Sequence, residues 1–113
     1  MNYKEDRPWG TFENLLDTKY CKVKEIIIKP NQAPSYQYHY KRSEIWIITG
    51  GVGLLTLDDE DKEVTYGDII KVPVGCKHRI RNISNTDLKF IEVQLGEYFG
   101  EDDIVRLKDD YDR

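Results

Sequence analysis

The chain has 113 residues, a formal net charge of −4 and a pI near 5.2, a size that suits one domain with a single core. The acidic balance gives no general attraction to nucleic acid or to an anionic membrane, and no apolar stretch approaches the roughly 20 residues that span a bilayer. The charged start lacks the apolar region of a signal peptide, and two cysteines make no disulfide framework, so we expect a cytoplasmic protein with reduced thiols and without nucleic-acid or membrane partners.

Apolar residues recur mostly with a period of two or in short solid runs, which predicts an all-β chain. Glycine, proline and asparagine separate these runs, as at Lys29-Pro30-Asn31 and Thr49-Gly50-Gly51. The pattern predicts strands over residues 11–16, 20–29, 35–40, 44–49, 52–58, 62–65, 69–72, 78–83 and 88–95. Strands this short and this numerous in one domain favour a closed or double-sheet architecture, a jelly-roll β-barrel.

We expect one domain over residues 1–113, with its core at about 9–95. The acidic tail, 96–113, carries apolar side chains at Ile104, Val105 and Leu107. These side chains predict that the tail is ordered, either as a short helix or as a strand draped over the core.

The first of two spaced motifs is Gln37-Tyr38-His39, then four residues and Glu44, then six residues and Gly51. Gln37 and His39 are two residues apart, so on a strand they point to the same face. A tight hairpin after this strand would bring Glu44 beside His39.

The second motif begins at Gly67 and continues after five residues with Pro73-Val74-Gly75. His78 follows after two residues and Asn82 after three more. The glycine and the Pro-x-Gly redirect the chain, and His78 opens the next strand. The two histidines of the chain both fall in these motifs.

Taken singly, these residues have simpler interpretations: a packed or surface histidine, a solvated glutamate and an ordinary turn. Their joint spacing is that of a metal-binding cupin, so we predict a divalent-metal site with the ligands Gln37, His39, Glu44 and His78. Gln37 stands where the cupin pattern usually has histidine. Its amide oxygen is a harder and weaker ligand, compatible with zinc, manganese, cobalt or iron. One or two coordination positions would remain for water or substrate oxygens.

The chain resembles the type II mannose-6-phosphate isomerase cupin, often found as the C-terminal part of mannose-1-phosphate guanylyltransferases. The resemblance covers nearly the whole chain and is carried by Arg7-Pro8-Trp9-Gly10, residues 20–24, 37–46, 73–82 and 91–94, Gly96-Glu97-Tyr98 and residues 102–106. It implies a cupin jelly roll and interconversion of mannose 6-phosphate and fructose 6-phosphate, with a divalent cation as cofactor and a sugar phosphate as the small-molecule partner. The nucleotidyltransferase part is not present in this sequence, so guanylyl transfer is not expected.

The resemblance also implies that Arg42 is catalytic, because it matches the arginine of the family's His-His-His-Arg-x-Glu-His-Trp segment. An arginine there could hold the phosphate or polarise the carbonyl. Tyr40, Lys41 and Ile45 replace histidines of that segment. If a replaced histidine handles protons, isomerase activity would be lost. The alternative is a non-catalytic or differently catalytic metal-binding cupin that binds a sugar or a sugar phosphate.

We expect the catalytic base to be a carboxylate at an inward-facing strand position. Glu92 alternates with Phe90 and Gln94, and burial on that face would raise its pKa into a useful range. The equally open alternative is a solvated strand carboxylate. Arg79 and Arg81 alternate away from His78 and are interpreted as surface cations, and Arg7 as a structural residue at the barrel wall.

An aromatic and aliphatic surface is predicted opposite the ligands. Tyr36, Tyr38 and Tyr40 share one face of their strand, and Ile45 and Ile47 share the matching face of the next. Because the ligand face points into the barrel, we expect a second copy of the chain to cover this surface, giving a homodimer.

Overall fold

The computed structural model describes residues 3–111, which form eleven strands and one short 3₁₀ helix. The first strands are β1 (Lys4–Arg7), β2 (Gly10–Asp17), β3 (Cys21–Ile28), β4 (Tyr36–His39), β5 (Arg42–Gly50) and β6 (Val52–Leu57). The others are β7 (Glu60–Thr65), β8 (Ile69–Val72), β9 (His78–Asn82), β10 (Leu88–Gly96) and β11 (Ile104–Lys108). The 3₁₀ helix is Glu101–Asp103, and within residues 3–111 no helix is long and apolar enough to cross a membrane.

The strands form two antiparallel sheets that face each other across a shared core. Sheet A has the order β1-β2-β3-β10-β5-β8, and sheet B has the order β11-β4-β9-β6-β7. The prediction of an all-β jelly roll is confirmed, and each of the nine predicted strands corresponds to one of β2–β10. Strand β1 was not predicted, because its sequence Lys-Glu-Asp-Arg has no apolar alternation.

The C-terminal segment contains both structures that were expected as alternatives. A single 3₁₀ turn leads into β11, which pairs with β4. Ile104 lies opposite His39 in this ladder, and Arg106 lies opposite Gln37. Residues directly opposite in an antiparallel pair share a face, so β11 adds side chains to the same face as the predicted ligands.

The chain does not fold back as a hairpin after β4, so that prediction is wrong. Strand β4 belongs to sheet B and β5 to sheet A, and the chain crosses between them at Tyr40 and Lys41. The backbone N–H groups of both residues donate to the buried carboxylate of Asp103, at 3.1 and 2.9 Å. This carboxylate satisfies donors that a hairpin ladder would otherwise pair. Glu44 and His39 therefore approach from opposite sheets.

The inward-facing residues of sheet A change from apolar to polar along the strands. The apolar rows pair Leu88 with Ile28, and Phe90 with Ile26 and Ile48. Further along the same strands, the buried inward positions are the polar residues Lys24, Arg42, Glu44, Glu92 and Gln94. Burying polar groups is costly unless they are paired or used. We therefore expect a functional site at the polar end of the space between the two sheets.

The topology also divides the predicted aromatic and aliphatic surface, which is a correction. The tyrosines of β4 lie in sheet B, whereas Ile45 and Ile47 lie on β5 in sheet A. The two groups therefore do not form one surface of a single sheet. The edge-to-face contact of Tyr38 and Tyr40, with ring centroids 5.2 Å apart, remains as an aromatic pair, and Tyr40 is 63% exposed.

We expect a homodimer that uses this tyrosine pair. Sedimentation velocity at micromolar concentration should give about twice the chain mass of 13.3 kDa. A Tyr40→Ser variant should shift the distribution toward the single chain, because it removes aromatic area from the contact. Tyr66→Ser is the matched control, since Tyr66 is also exposed, at 77%, but lies in a turn. A single-chain mass for the unmodified protein would contradict the prediction.

Candidate metal site

Three of the four predicted ligands converge between the sheets. His39 ends β4 and His78 begins β9, both in sheet B, and Glu44 lies on β5 in sheet A. All three side chains are buried. The Nε2 atom of His39 is 3.3 Å from Oε2 of Glu44, and Nε2 of His78 is 4.0 Å from Oε1. One donor atom from each residue lies within 4.8 Å of the others, so the three side chains can share one ion.

The hydrogen-bond partners of the two histidine rings indicate which ring nitrogens can bind a ligand. The Nδ1 atom of His78 lies 2.9 Å from the carbonyl oxygen of Cys76. This contact makes Nδ1 the donor and leaves Nε2 as the lone-pair nitrogen that faces Glu44. The buried Nδ1 of His39 has no hydrogen-bond partner among residues 3–111. Buried polar atoms normally have a partner, so this one favours a ligand-binding role for the ring.

The pKa values of His78 and Glu44 are shifted in the directions that metal binding favours, toward neutral imidazole and ionised carboxylate. Burial lowers the pKa of His78, which keeps its ring neutral. Burial alone would raise the pKa of Glu44, but its contacts with Glu92 and His39 and the nearby charge of Arg42 hold it well below its usual value. Two imidazoles and one carboxylate fit a divalent transition metal.

Gln37, the fourth predicted ligand, lies on the wall of the same cavity and directly opposite His78 in the β4–β9 ladder. Its amide nitrogen is 3.0 Å from the hydroxyl oxygen of Ser35, to which it donates. The amide oxygen is therefore the end of the side chain that remains for a ligand. Coordination by Gln37 stays a prediction.

Arg42 enters the site, but its guanidinium is already engaged there. Its Nε donates to Oε2 of Glu44 at 2.9 Å, and its Nη2 lies 3.2 Å from Nε2 of His39. The residue is 6% exposed. Arg42 thus orients two candidate ligands and compensates the carboxylate charge. Trp46, which was not predicted, orients the same carboxylate through its indole N–H, which donates to Oε1 at 2.9 Å.

Glu92 is buried on the inner face of β10, so the alternative of a solvated carboxylate is wrong. Burial, then the nearby charge of Glu44, raises the pKa of Glu92 well above its usual value. The carboxyl of Glu92 shares a hydrogen bond with Glu44, and Gln94 donates to Glu92 at 3.3 Å. The pKa values of the two carboxyl groups are thus shifted in opposite directions, and Glu92 is the one that binds a proton more readily.

Of the other predicted cations, Arg79 is half-buried and also lines the cavity, which corrects its interpretation as a surface cation. Arg81 donates to the carboxylate of Asp110, and Nη1 of Arg79 is 3.6 Å from the same residue, against the C-terminal segment. Arg7 lies with its guanidinium carbon 5.5 Å from the ring centroid of Phe12, at the wall as expected.

An open cavity of about 730 Å³, including its mouth, lies above the candidate ligands. The wall includes Glu92 and also Lys24, which was not among the predicted site residues. Strand alternation with Ile26 and Ile28 was the signal that could have found it, because those residues share its face.

Comparison with known proteins assigns the family. The sequence profile described as "Mannose-6-phosphate isomerase C-terminal" matches residues 1–109. The chain belongs to the mannose-6-phosphate isomerase C-terminal family. A mannose-1-phosphate guanylyltransferase of Salmonella montevideo is 42% identical over 107 residues, and one of Escherichia coli O157:H7 is 42% identical over 105 residues. These alignments cover 95% and 93% of this chain but only 23% and 22% of the relatives, so this member of the family spans about a quarter of their length.

Solved structures agree with the cupin fold of this mannose-6-phosphate isomerase C-terminal chain. The capsular polysaccharide assembling protein CapF of Staphylococcus aureus superposes with a TM-score of 0.78 at 23% identity. That match covers 96% of this chain and 34% of CapF. Streptomyces PAC13, solved with uridine, gives a TM-score of 0.81 at 13% identity, covering 96% of this chain and 86% of PAC13. At these identities the likeness concerns the fold alone.

Proposed function

We propose that the chain is a metal-dependent aldose–ketose isomerase that interconverts mannose 6-phosphate and fructose 6-phosphate. The observation that carries the proposal is the pairing of the buried cluster of His39, Glu44 and His78 with a buried carboxyl, that of Glu92, in one cavity. Membership of the mannose-6-phosphate isomerase C-terminal family supports the choice of substrate.

The reaction moves one proton between adjacent carbons and transiently places negative charge on two neighbouring oxygens. A divalent ion held by His39, Glu44 and His78, with Gln37 as a fourth ligand, would supply Lewis-acid stabilisation of that charge. Arg42 adds a fixed positive charge beside the same donors and keeps Glu44 and His39 oriented.

Glu92 is the proposed proton carrier. A raised pKa brings a carboxyl toward the operating pH, where it can both accept and return a proton efficiently. Gln94 fixes one carboxyl oxygen of Glu92 through its donated amide hydrogen bond. The carboxyl is thereby held at the cavity wall next to the candidate metal donors.

The three departures from the family segment lie outside the cavity. Tyr40 is exposed, and Lys41 places its ammonium 4.7 Å from the ring centroid of Tyr98 on the surface. Ile45 lies between the inward-facing Glu44 and Trp46, so it points out of sheet A. None of the three contributes to the described wall of the cavity. This placement supports the isomerase over the alternative of a non-catalytic sugar-binding cupin.

Metal removal provides the test. In a coupled assay with mannose 6-phosphate, we expect turnover by the metal-loaded protein, loss of turnover after chelation, and recovery when Zn²⁺, Mn²⁺, Co²⁺ or Fe²⁺ is returned. Elemental analysis of the same samples measures the bound metal. A fully loaded protein with no turnover would reject the isomerase and leave the metal site intact. Under that outcome, binding of fructose 6-phosphate without turnover would identify the non-catalytic cupin.

A further inference from the structure

Two cations lie close to the ring of Phe12, on the cavity wall formed by sheet A. The ammonium nitrogen of Lys24 is 4.3 Å from the ring centroid, and the guanidinium carbon of Arg7 is 5.5 Å from it. Both residues line the same cavity as the candidate metal ligands. Like charges beside one aromatic ring repel each other, and an anion bound close to both would relieve that repulsion.

Lys24 is the more informative of the two, because it is 8% exposed and yet lacks a paired carboxylate. Among residues 3–111 its ammonium group has no hydrogen bond and no ion pair within 4.0 Å, and its close contact is the Phe12 ring. Glu92 lies opposite Lys24 in the β3–β10 ladder, but no ion pair within 4.0 Å joins the two side chains. A buried ammonium group normally requires a partner, which favours an anionic ligand at this wall.

A third cation reaches the cavity from the opposite sheet. Arg106 on β11 shares a face with Gln37, lines the cavity and is exposed. Within residues 3–111 it makes no ion pair, so its planar fork is available to an oxyanion. Arg42 is not available in this way, because Glu44 and His39 engage its guanidinium.

We propose that Lys24, Arg7 and Arg106 form an anion subsite that binds the phosphate of the sugar phosphate. The identity of the sugar rests on the proposed function, whereas the anion site rests on the placement of the three cations. Arg7 also contacts Glu5 at 2.5 Å and Glu101 at 3.9 Å, so its charge is shared with carboxylates at the mouth.

The proposed subsite would bind the phosphate in one part of the cavity, while proton transfer takes place in another. In a hexose 6-phosphate, the carbons that exchange a proton are at the other end of the sugar from the phosphate. Binding the phosphate at Lys24, Arg7 and Arg106 would direct those carbons toward the metal donors in the same cavity. Binding energy from a non-reacting group is then used to orient the reacting one.

Calorimetric titration of the full metal-loaded chain with inorganic phosphate, fructose 6-phosphate and fructose tests the subsite. Lys24→Met and Arg106→Gln should each weaken binding of phosphate and fructose 6-phosphate by roughly 10- to 100-fold, the size of a lost charged hydrogen bond. Their affinity for fructose should stay within a factor of about two of the unmodified chain's. Lys89→Met on the outer face of β10 and Lys108→Gln on β11 are the matched controls, and they should bind all three probes normally.

Unchanged phosphate and fructose 6-phosphate affinities in both variants would overturn the subsite, as would a failure of the unmodified chain to bind either anion. If Lys24→Met does not fold, Arg7→Gln and Arg106→Gln decide, because both side chains lie at the cavity mouth. Normal turnover with an unchanged KM in these variants would reject the subsite and leave the isomerase standing. If the unmodified chain binds phosphate but shows no turnover, and the variants lose phosphate binding, the isomerase is rejected and the subsite stands.

Discussion

Replacing His78 with alanine should remove the bound divalent metal and, with it, turnover of mannose 6-phosphate. The imidazole is buried, its Nδ1 is held by the Cys76 carbonyl, and its Nε2 faces Glu44. Loss of an outer partner of a metal ligand already costs about 10- to 100-fold in affinity, so loss of the ligand itself should cost more. Metal content by elemental analysis and the coupled assay on the same sample provide the measurement.

Arg81→Gln is the control for the His78 variant. Arg81 lies on the same strand but pairs with Asp110 against the C-terminal segment, so its loss should change neither metal content nor turnover. Thermal unfolding in excess chelator should show that the His78 variant is folded without the metal. Full metal content in His78→Ala would contradict the assignment of the site.

A histidine is the better target than Glu44 because of the buried charges around the carboxylate. Arg42 is 6% exposed and donates to Glu44 at 2.9 Å. Truncating Glu44 would leave that guanidinium buried and unpaired, a change that typically destabilises by about 3–5 kcal/mol. Loss of activity in a Glu44 variant would therefore mix unfolding with loss of metal, whereas the His78 variant separates them.

Strand alternation was sufficient to predict which side chains face the interior. Gln37 with His39, Glu44 with Trp46 and His78 with Ile80 all have the periodicity that the structure shows. This rule is local, because successive side chains on a strand must point to opposite faces. The turn residues supplied the breaks, so the positions of nine strands followed from the same local information.

Sheet membership is not local, and there the prediction failed. A polar turn after His39 is compatible with a hairpin, but Asp103, more than sixty residues along the chain, takes the backbone donors of Tyr40 and Lys41. That contact could not be read from the segment itself. The chain crosses from sheet B to sheet A at this point. Glu44 nevertheless comes to lie beside His39, because the inward faces of the two sheets meet in the core.

Lys24 shows a different limit of sequence reasoning. A lysine next to an alternating apolar run is usually placed on the solvent side, since lysines are rarely buried. Here the apolar rows end at Ile26 and Phe90, and the next row holds Lys24 opposite Glu92. Alternation with Ile26 and Ile28 places Lys24 on the inner face, but its position beside Glu92 at the polar end of the core depends on the register between β3 and β10, which a single strand does not reveal.

Glu92→Gln should lower turnover by roughly 10²- to 10⁴-fold, the usual contribution of a positioned acid or base, while leaving metal content unchanged. The substitution keeps the shape of the side chain and places a neutral group where burial and Glu44 raise the pKa of the carboxyl and so favour its neutral form. The glutamine amide can donate a hydrogen bond to Glu44. Folding stability should therefore change little, and a loss of activity would report on proton transfer.

The matched control is Glu25→Gln, which removes a carboxylate from an outward position of β3 in the same sheet. Single-turnover measurements with mannose 6-phosphate should show a slower chemical step in Glu92→Gln and a normal one in the control.

Turnover at the native rate in Glu92→Gln would assign the proton transfer to another group. A fall in metal content would instead place Glu92 among the residues that support the ligands. Because Glu92 is hydrogen-bonded to Glu44, activity and metal content must be measured on the same sample. Only turnover that falls while the metal stays bound identifies the proton carrier.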